Sequence, residues 1–582
     1  MSHTTPPGAV RVLALLLGLA TVPACAPRHE IARRENGLPP FTHGVGSAER
    51  LVVTTRDGVG LATWVMKPDS GALWPALLIR SPYPELRSQL ALECEIYTRY
   101  GYACVFQDAR GRGESEGEWV PFEHERKDGI DTVRWLVGQH WTDGNVGLIG
   151  ASYLAFAQWA VADSLPPDVR TIVPSMFGPN RHAALYERGM FRADVATSWT
   201  LRHVGPGLAL LRSRRFWHAV RHRPALETDE RFLGGRLPWY RAWLESPKPD
   251  DELWSKGLWA TVRRTPKFTR VPVLLISGWY DHGLTGTFEA YARLKSRERS
   301  LLVVGPWLHG FQPAGDGLPS GVTYAARLQH RWLEHWLKGE PSGTPIRGVH
   351  AYVMGDDFQS HPDWPPSSES RRWHLAAADD GSCPGSLRRE APPTSSRIQF
   401  RYDPDDPVPT RGGEALLGWA SGVDAPRPGR VEQAPPCTRP DVLSFVSEPL
   451  ARDVVVMGSP SVHLDVASSA EDSAFTVKLV EVGAAGRARN VRDGISSLAY
   501  ASRAGPTPYT PGEQVALDLT LSPVAIRLAA GSRLRLDVSS SNFPAYHAHP
   551  NHAGPWAEQR EALVATQTLE LGHAWLELPV LP

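Results

Sequence analysis

At 582 residues the chain is too long for one hydrophobic core and should divide into several domains. Its 42% hydrophobic and 21% charged residues are those of a globular protein, which excludes the disordered and fibrous classes. Lys+Arg and Asp+Glu both number 62, so no global field attracts nucleic acid, and none is expected as a partner.

The first element is a leader. Arg11 precedes "VLALLLGLATVPAC", Val12 to Cys25, a run too short to span a bilayer but suited to a secretory signal. Residues 1–24 are therefore expected to be a signal peptide and the protein to be exported. Val22-Pro23-Ala24-Cys25 resembles a bacterial lipobox, which makes Cys25 the candidate lipidation site and a lipid anchor the candidate membrane link. Cleavage after Ala24 without lipid is the alternative. Export permits disulfides. Cys383 and Cys437 are the candidate pair, whereas Cys104, inside the strand-like "YACVF", reads as a buried thiol.

From Leu51, "LVVTT", a turn at Asp57-Gly58 and "LATWVM" predict a hairpin. Apolar strands then alternate with helical patterns: 75–79, 103–106, a helix over 128–139, "NVGLIG" into a helix from Ser152, then 171–176, 271–278 and 300–306. That rhythm predicts a parallel sheet covered on both faces. Between about 180 and 266 it breaks into a segment rich in Arg, His, Trp and Leu with no convincing strand. This reads as a helical cap over the sheet's C-terminal edge. From about 345 onward, alternating strands such as "SRLRLDVSSSN" predict a separate antiparallel β-domain. The expected division is 46–180 with 265–342 for the α/β core, 181–264 for the cap and 345–582 for the all-β domain.

Strand, tight turn with Ser152, then helix is the geometry of a nucleophile elbow. Gly150 and Ala151 are small enough for that turn, and the helix N-terminus points N–H groups to where an oxyanion would form. A serine hydroxyl needs a base, and the base needs an orienting carboxylate. "VLLISGWYD" ends in Asp281 and "LLVVGPWLHG" carries His309, both just past strand C-termini at the edge where Ser152 lies. With Ser152 alone, a helix cap would be the better reading. Three such residues in the order Ser, Asp, His predict a hydrolytic triad.

These stretches resemble the motifs of the CocE/NonD hydrolases, the cocaine esterase-like and Xaa-Pro dipeptidyl-peptidase-like serine hydrolases, a group that includes glutaryl and α-amino acid ester acylases. So do "IRSPYPE", "FQDARGRGESEGEW", "YDPDDPVPTRGG" and "SSSNFP", from about residue 50 to 555. The resemblance implies an α/β-hydrolase core, a helical cap and a C-terminal jelly roll. It also implies Ser152 as nucleophile, His309 as base, Asp281 as orienting acid, and an oxyanion hole from the Tyr83 hydroxyl and the Tyr153 N–H. No cofactor or metal is expected. The family usually has Gly three positions after the nucleophile, where this chain has Ala155.

Two other motifs are weaker. "RGRGESEG" misses both nucleotide-loop spacings and reads as a turn beside the active-site strand. His547, His549 and His552 share one loop with no Cys or acidic residue beside them, which reads as packing at a domain interface. The carboxylates that hold a substrate ammonium in α-amino ester hydrolases would follow Asp281, where this chain has His282, Gly283 and Leu284. The expected function is thus hydrolysis of a small-molecule ester or amide through an acyl-enzyme. An Xaa-Pro dipeptidyl-peptidase is the alternative, and a non-catalytic ligand- or carbohydrate-binding relative is the alternative outside the enzyme class.

Overall fold

The computed structural model describes residues 27–582 apart from 205–208, 344–345, 379–382, 394, 415–417, 419–421 and 503–504. The leader and Cys25 lie outside the described residues.

A helix, α1 (Arg28–Glu35), precedes the hairpin of β1 (Glu49–Thr54) and β2 (Gly60–Met66). Then come β3 (Trp74–Ser81), α2 (Arg87–Arg99), β4 (Ala103–Asp108), α3 (Glu125–Val137), β5 (Thr142–Ala151), α4 (Tyr153–Trp159) and β6 (Val169–Ser175). Strand β4 is buried at every position and β3 at all but its first, as strands covered by helices on both faces must be.

The cap follows β6. It consists of α5 (Arg181–Leu185), the short pair β7 (Tyr186–Glu187) and β8 (Met190–Phe191), α6 (Ala193–His203), α7 (Ala209–Arg221), α8 (Pro238–Leu244), α9 (Glu252–Ser255) and α10 (Gly257–Arg264). Among the described residues, the β7–β8 pair departs from the strand-free cap that the sequence suggests. Its ladder joins Tyr186 to Phe191 and Glu187 to Met190, too short to leave a hydrophobic period in the sequence.

The core resumes with β9 (Leu274–Tyr280), α11 (Leu284–Arg293), β10 (Leu301–Leu308) and α12 (Gly321–Lys338). Two further strands, β11 (Gly348–Tyr352) and β12 (Phe358–His361), lie past residue 345 yet belong to this sheet. Its order is β1-β2-β4-β3-β5-β6-β9-β10-β11-β12. Leu301 of β10 pairs in parallel with Gly348, so the sheet runs across the boundary expected at 345.

From Glu369 on, the described strands form a separate all-β domain. Its final strand, Ala565–Val580, is long enough to pair with four others. The cap is held between core and β-domain: Arg188 donates to the Tyr500 carbonyl, and the Phe191 N–H donates to His547 Nδ1 at 3.0 Å.

Among the described residues two disulfides are present, Cys94–Cys104 and Cys383–Cys437. The second is the pair expected. The first corrects the reading of Cys104 as a free thiol: the chain turns straight from α2 into β4, and the packed helix holds Cys94 with its Cα 5.2 Å from that of Cys104.

Candidate active site

Strand order reverses around β3, whose neighbours are β4 and β5. Ligands of open α/β sheets bind at the C-terminal strand ends beside such a reversal. Tyr83 follows β3 and Ser152 follows β5, so both stand at that crevice.

Ser152 has φ 59° and ψ −123°, a backbone conformation a serine rarely adopts. The Ser152 N–H donates to the Ser175 carbonyl at 2.8 Å, and the Ser152 carbonyl accepts from Ala155 and Phe156, which locks the turn from both sides. Gly150 is required just before it. Its φ is +142°, and a Cβ there would come within 2.6 Å of Leu154 Cβ. Ala155, where the resemblance implies Gly, places its methyl wholly inside the core.

His309 Nε2 lies 3.0 Å from Ser152 Oγ, and His309 Nδ1 lies 2.8 Å from Asp281 Oδ1. The carboxylate side can only accept, so Nδ1 carries the proton and Nε2 is left to accept from the serine hydroxyl. Asp281 is fully buried and held by two more donors, the Ser277 hydroxyl at 2.9 Å and the Gly283 N–H at 3.1 Å. A bulge in the β9–β10 ladder after Gly305 lets the chain reach His309, and Gly278 makes room for it: a Cβ there would sit 2.2 Å from the Trp307 carbonyl oxygen.

Tyr83 is buried, and its hydroxyl oxygen accepts a hydrogen bond from Trp199 Nε1 of the cap at 3.1 Å. Burial raises the Tyr83 phenol far above the usual tyrosine range, outweighing the Trp199 bond, so it remains a neutral donor. Tyr153 is the first residue of α4, where the N–H has no intrahelical acceptor. Its side chain is anchored behind the elbow. The Tyr153 hydroxyl donates to Glu125 Oε1 at 3.1 Å and accepts from the Phe122 N–H at 2.7 Å, and Glu125 pairs with buried Arg80.

The five residues anticipated as catalytic or oxyanion-binding thus meet at one edge. Trp199 was not anticipated; a tryptophan inside a helical cap has no sequence mark that separates it from packing. His282 was not anticipated either. Its ring lies 4.3 Å from that of His309, and burial, then the charges of His309, Arg192 and Arg181, keep it neutral. Asp281, His282 and His309 are ligand types found at metal centres, but both nitrogens of His309 are engaged by Ser152 and Asp281. The "RGRGESEG" turn proves structural: Arg110 is held by Asp57 and Asp128, and Arg112 donates to the Pro82 carbonyl at 2.7 Å, steadying the residue before Tyr83. His547 accepts from the Phe191 N–H of the cap, whereas His549 accepts from the Asn551 N–H of its own loop at 3.1 Å and lies 3.3 Å from Asp472, an acidic partner distant in sequence that the reading of this loop did not include.

Residues 57–311 match the X-Pro dipeptidyl-peptidase (S15 family), and residues 344–574 match the X-Pro dipeptidyl-peptidase C-terminal non-catalytic domain. The cocaine esterase of Rhodococcus sp. (strain MB1 Bresler) is 32% identical over 551 residues, 88% of this chain and 94% of that one. The chain belongs to the CocE/NonD serine hydrolases. Membership in the CocE/NonD family makes it an enzyme of the esterase or dipeptidyl-peptidase kind. Two of the solved structures that share its fold illustrate the likeness. One is an aminopeptidase from a marine sediment archaeon, Thaumarchaeota archaeon, with TM-score 0.79 and 20% identity over 97% of this chain and 99% of that one. The other is a selenomethionine-labelled α-amino acid ester hydrolase, with TM-score 0.76 and 23% identity over 96% of this chain and all of that one.

Proposed function

We propose that this CocE/NonD hydrolase cleaves a small-molecule ester or amide through an acyl-enzyme on Ser152. The observation that carries the reading is the continuous hydrogen-bonded chain from Ser152 Oγ through His309 to Asp281.

In the first step Ser152 Oγ attacks the substrate carbonyl carbon while its proton passes to His309 Nε2. Asp281, fixed by Ser277 and Gly283, stabilises the imidazolium without taking its proton. The carbonyl oxygen becomes an oxyanion and accepts from the Tyr83 hydroxyl and the Tyr153 N–H. Collapse of the tetrahedral intermediate breaks the bond to the leaving group, which receives the proton from His309. Water then repeats the sequence on the acyl-enzyme, with His309 as base, and frees Ser152.

Three cap carboxylates are engaged by other side chains, which favours an ester or amide over a substrate held by its ammonium. Glu187 pairs with Arg192 and Tyr546, Asp229 with Arg241, and Glu227 with Arg231 and Arg560. The S15 match keeps Xaa-Pro peptide cleavage as the second reading. We further propose export, supported by the leader pattern and by two disulfides, which persist in oxidising compartments. Cys25 as the lipidated N-terminus remains part of that proposal, tested by the mass of the mature N-terminal peptide.

The test is labelling with a fluorophosphonate probe, expected for the wild type and lost in Ser152→Ala. Absence of labelling in the folded wild type would favour the non-catalytic binding alternative. Faster turnover of Xaa-Pro anilides than of any ester would promote the peptidase reading.

A further inference from the structure

A cavity of about 90 Å³ lies on the seam between cap and β-domain, walled by α6, α7 and the loops around Pro404 and His547. That is well above the room one water molecule needs. Ser152, Asp281, His309 and Tyr83 are not among the residues that line it. Helix α6 brings Thr197 to this cavity and Trp199 to Tyr83, so the cavity and the active site share a helix but not a chamber.

Two buried donors line the cavity without an acceptor. His547 is 5% exposed, and its Nδ1 accepts from the Phe191 N–H at 3.0 Å. Burial, then His549 and Arg223, hold its pKa well below the usual histidine range, so the ring is neutral and Nε2 carries the proton. Among the described residues nothing accepts from that Nε2, and nothing bonds the Thr228 hydroxyl, which is 2% exposed. Buried polar groups are ordinarily paired, and an open donor on a cavity wall marks a place for an accepting ligand atom.

The charges around the cavity give the sign of that ligand. Arg221 and Arg223 line it, and Asp405 is the one carboxylate among the described lining residues. Arg223 takes Asp405 at 2.7 Å. Arg221 has no carboxylate partner among the described residues; its guanidinium lies over the rings of Trp217 at 4.6 Å and Phe543 at 5.5 Å. Two open donors beside an uncompensated guanidinium suit an oxyanion, whose oxygens accept several charge-assisted bonds. A cation or an apolar molecule would leave both donors unpaired.

We propose that this seam cavity binds a small oxyanion, a carboxylate or a phosphate, on His547 Nε2 and the Thr228 hydroxyl in the field of Arg221. Its occupant ties the cap to the β-domain and takes no part in the chemistry at Ser152. The test follows the melting temperature of the full chain in sodium phosphate and, separately, in sodium acetate, each against sodium chloride of equal ionic strength. At least one of the two should raise it saturably beyond the chloride control. A response to phosphate alone identifies a phosphate site, and a response to acetate alone a carboxylate site. Thr228→Val keeps the shape and removes the hydroxyl, and it should weaken the apparent affinity by about tenfold. Ser152→Ala should leave that affinity unchanged. An effect no larger than that of chloride overturns the proposal, as does one that Thr228→Val leaves intact or Ser152→Ala abolishes. Should Thr228→Val fail to fold, a wild-type crystal grown with the responding anion decides: density beside His547 Nε2 supports the site, and its absence there overturns it.

Discussion

Trp199, in the cap, donates its indole N–H to the hydroxyl oxygen of Tyr83, in the core, at 3.1 Å. The bond fills an acceptor site on the phenol and leaves its own proton to be aimed elsewhere. A cap residue therefore orients a donor that belongs to the sheet.

If Tyr83 stabilises the oxyanion, Tyr83→Phe should lower kcat by about 10²–10³, the usual loss for one such donor. Trp199→Phe removes only the orienting bond and should lower kcat by about tenfold. Steady-state kinetics on one p-nitrophenyl ester would show both effects in kcat, with KM little altered; a change confined to KM would place Trp199 in substrate packing instead.

The hydrogen bond between Asp281 and His309 sets which ring nitrogen faces Ser152. Asp281→Asn offers a donor or an amide oxygen where a carboxylate stood and favours the wrong tautomer. A fall of about 10⁴ in kcat is expected with little change in melting temperature. Equal turnover by this variant would refute the assigned role.

Glu93 of α2 is buried, and burial raises its carboxyl to about 7 from an ordinary value near 4.5. Between those values the folded state keeps a proton that the unfolded chain has released. Stability is therefore lost as pH rises through that window and stays reduced above it. Glu93→Gln cannot ionise, and it should stabilise the protein more at pH 8.5 than at pH 5, by about 2 kcal/mol. Urea denaturation at the two pH values measures the difference; a gain equal at both would mean that Glu93 does not titrate in this range.

The Cys383–Cys437 bridge closes a loop with a sequence separation of 54. Restricting the unfolded chain over that length stabilises the fold by about 4 kcal/mol in the loop-entropy account. The double variant Cys383→Ser with Cys437→Ser should melt at a lower temperature, and added reductant should then shift it less than it shifts the wild type. Differential scanning calorimetry with and without reductant reads both.

Much of the core was legible because its signals are local. The glycine-alanine-serine turn after an apolar run, and the aspartate and histidine just beyond two other runs, each mark a strand end in a few consecutive residues. Other features were not local. Cys104 could not be matched to Cys94 without knowing how α2 lies on β4. Strands β11 and β12 look like the alternating strands of the next domain, and only their ladder to β10 assigns them to the catalytic sheet.

The sequence by itself marked the alternation of strands and helices in the core, the family, and the serine, aspartate and histidine proposed as the triad, since short-range periodicity and motif spacing encode these. Tertiary structure alone decided that Trp199 reaches Tyr83 and that the Arg181 guanidinium lies over Phe122, whose ring stacks on Tyr153. Those relationships join residues distant along the chain, and they depend on how the cap settles onto the sheet rather than on any pattern within either one.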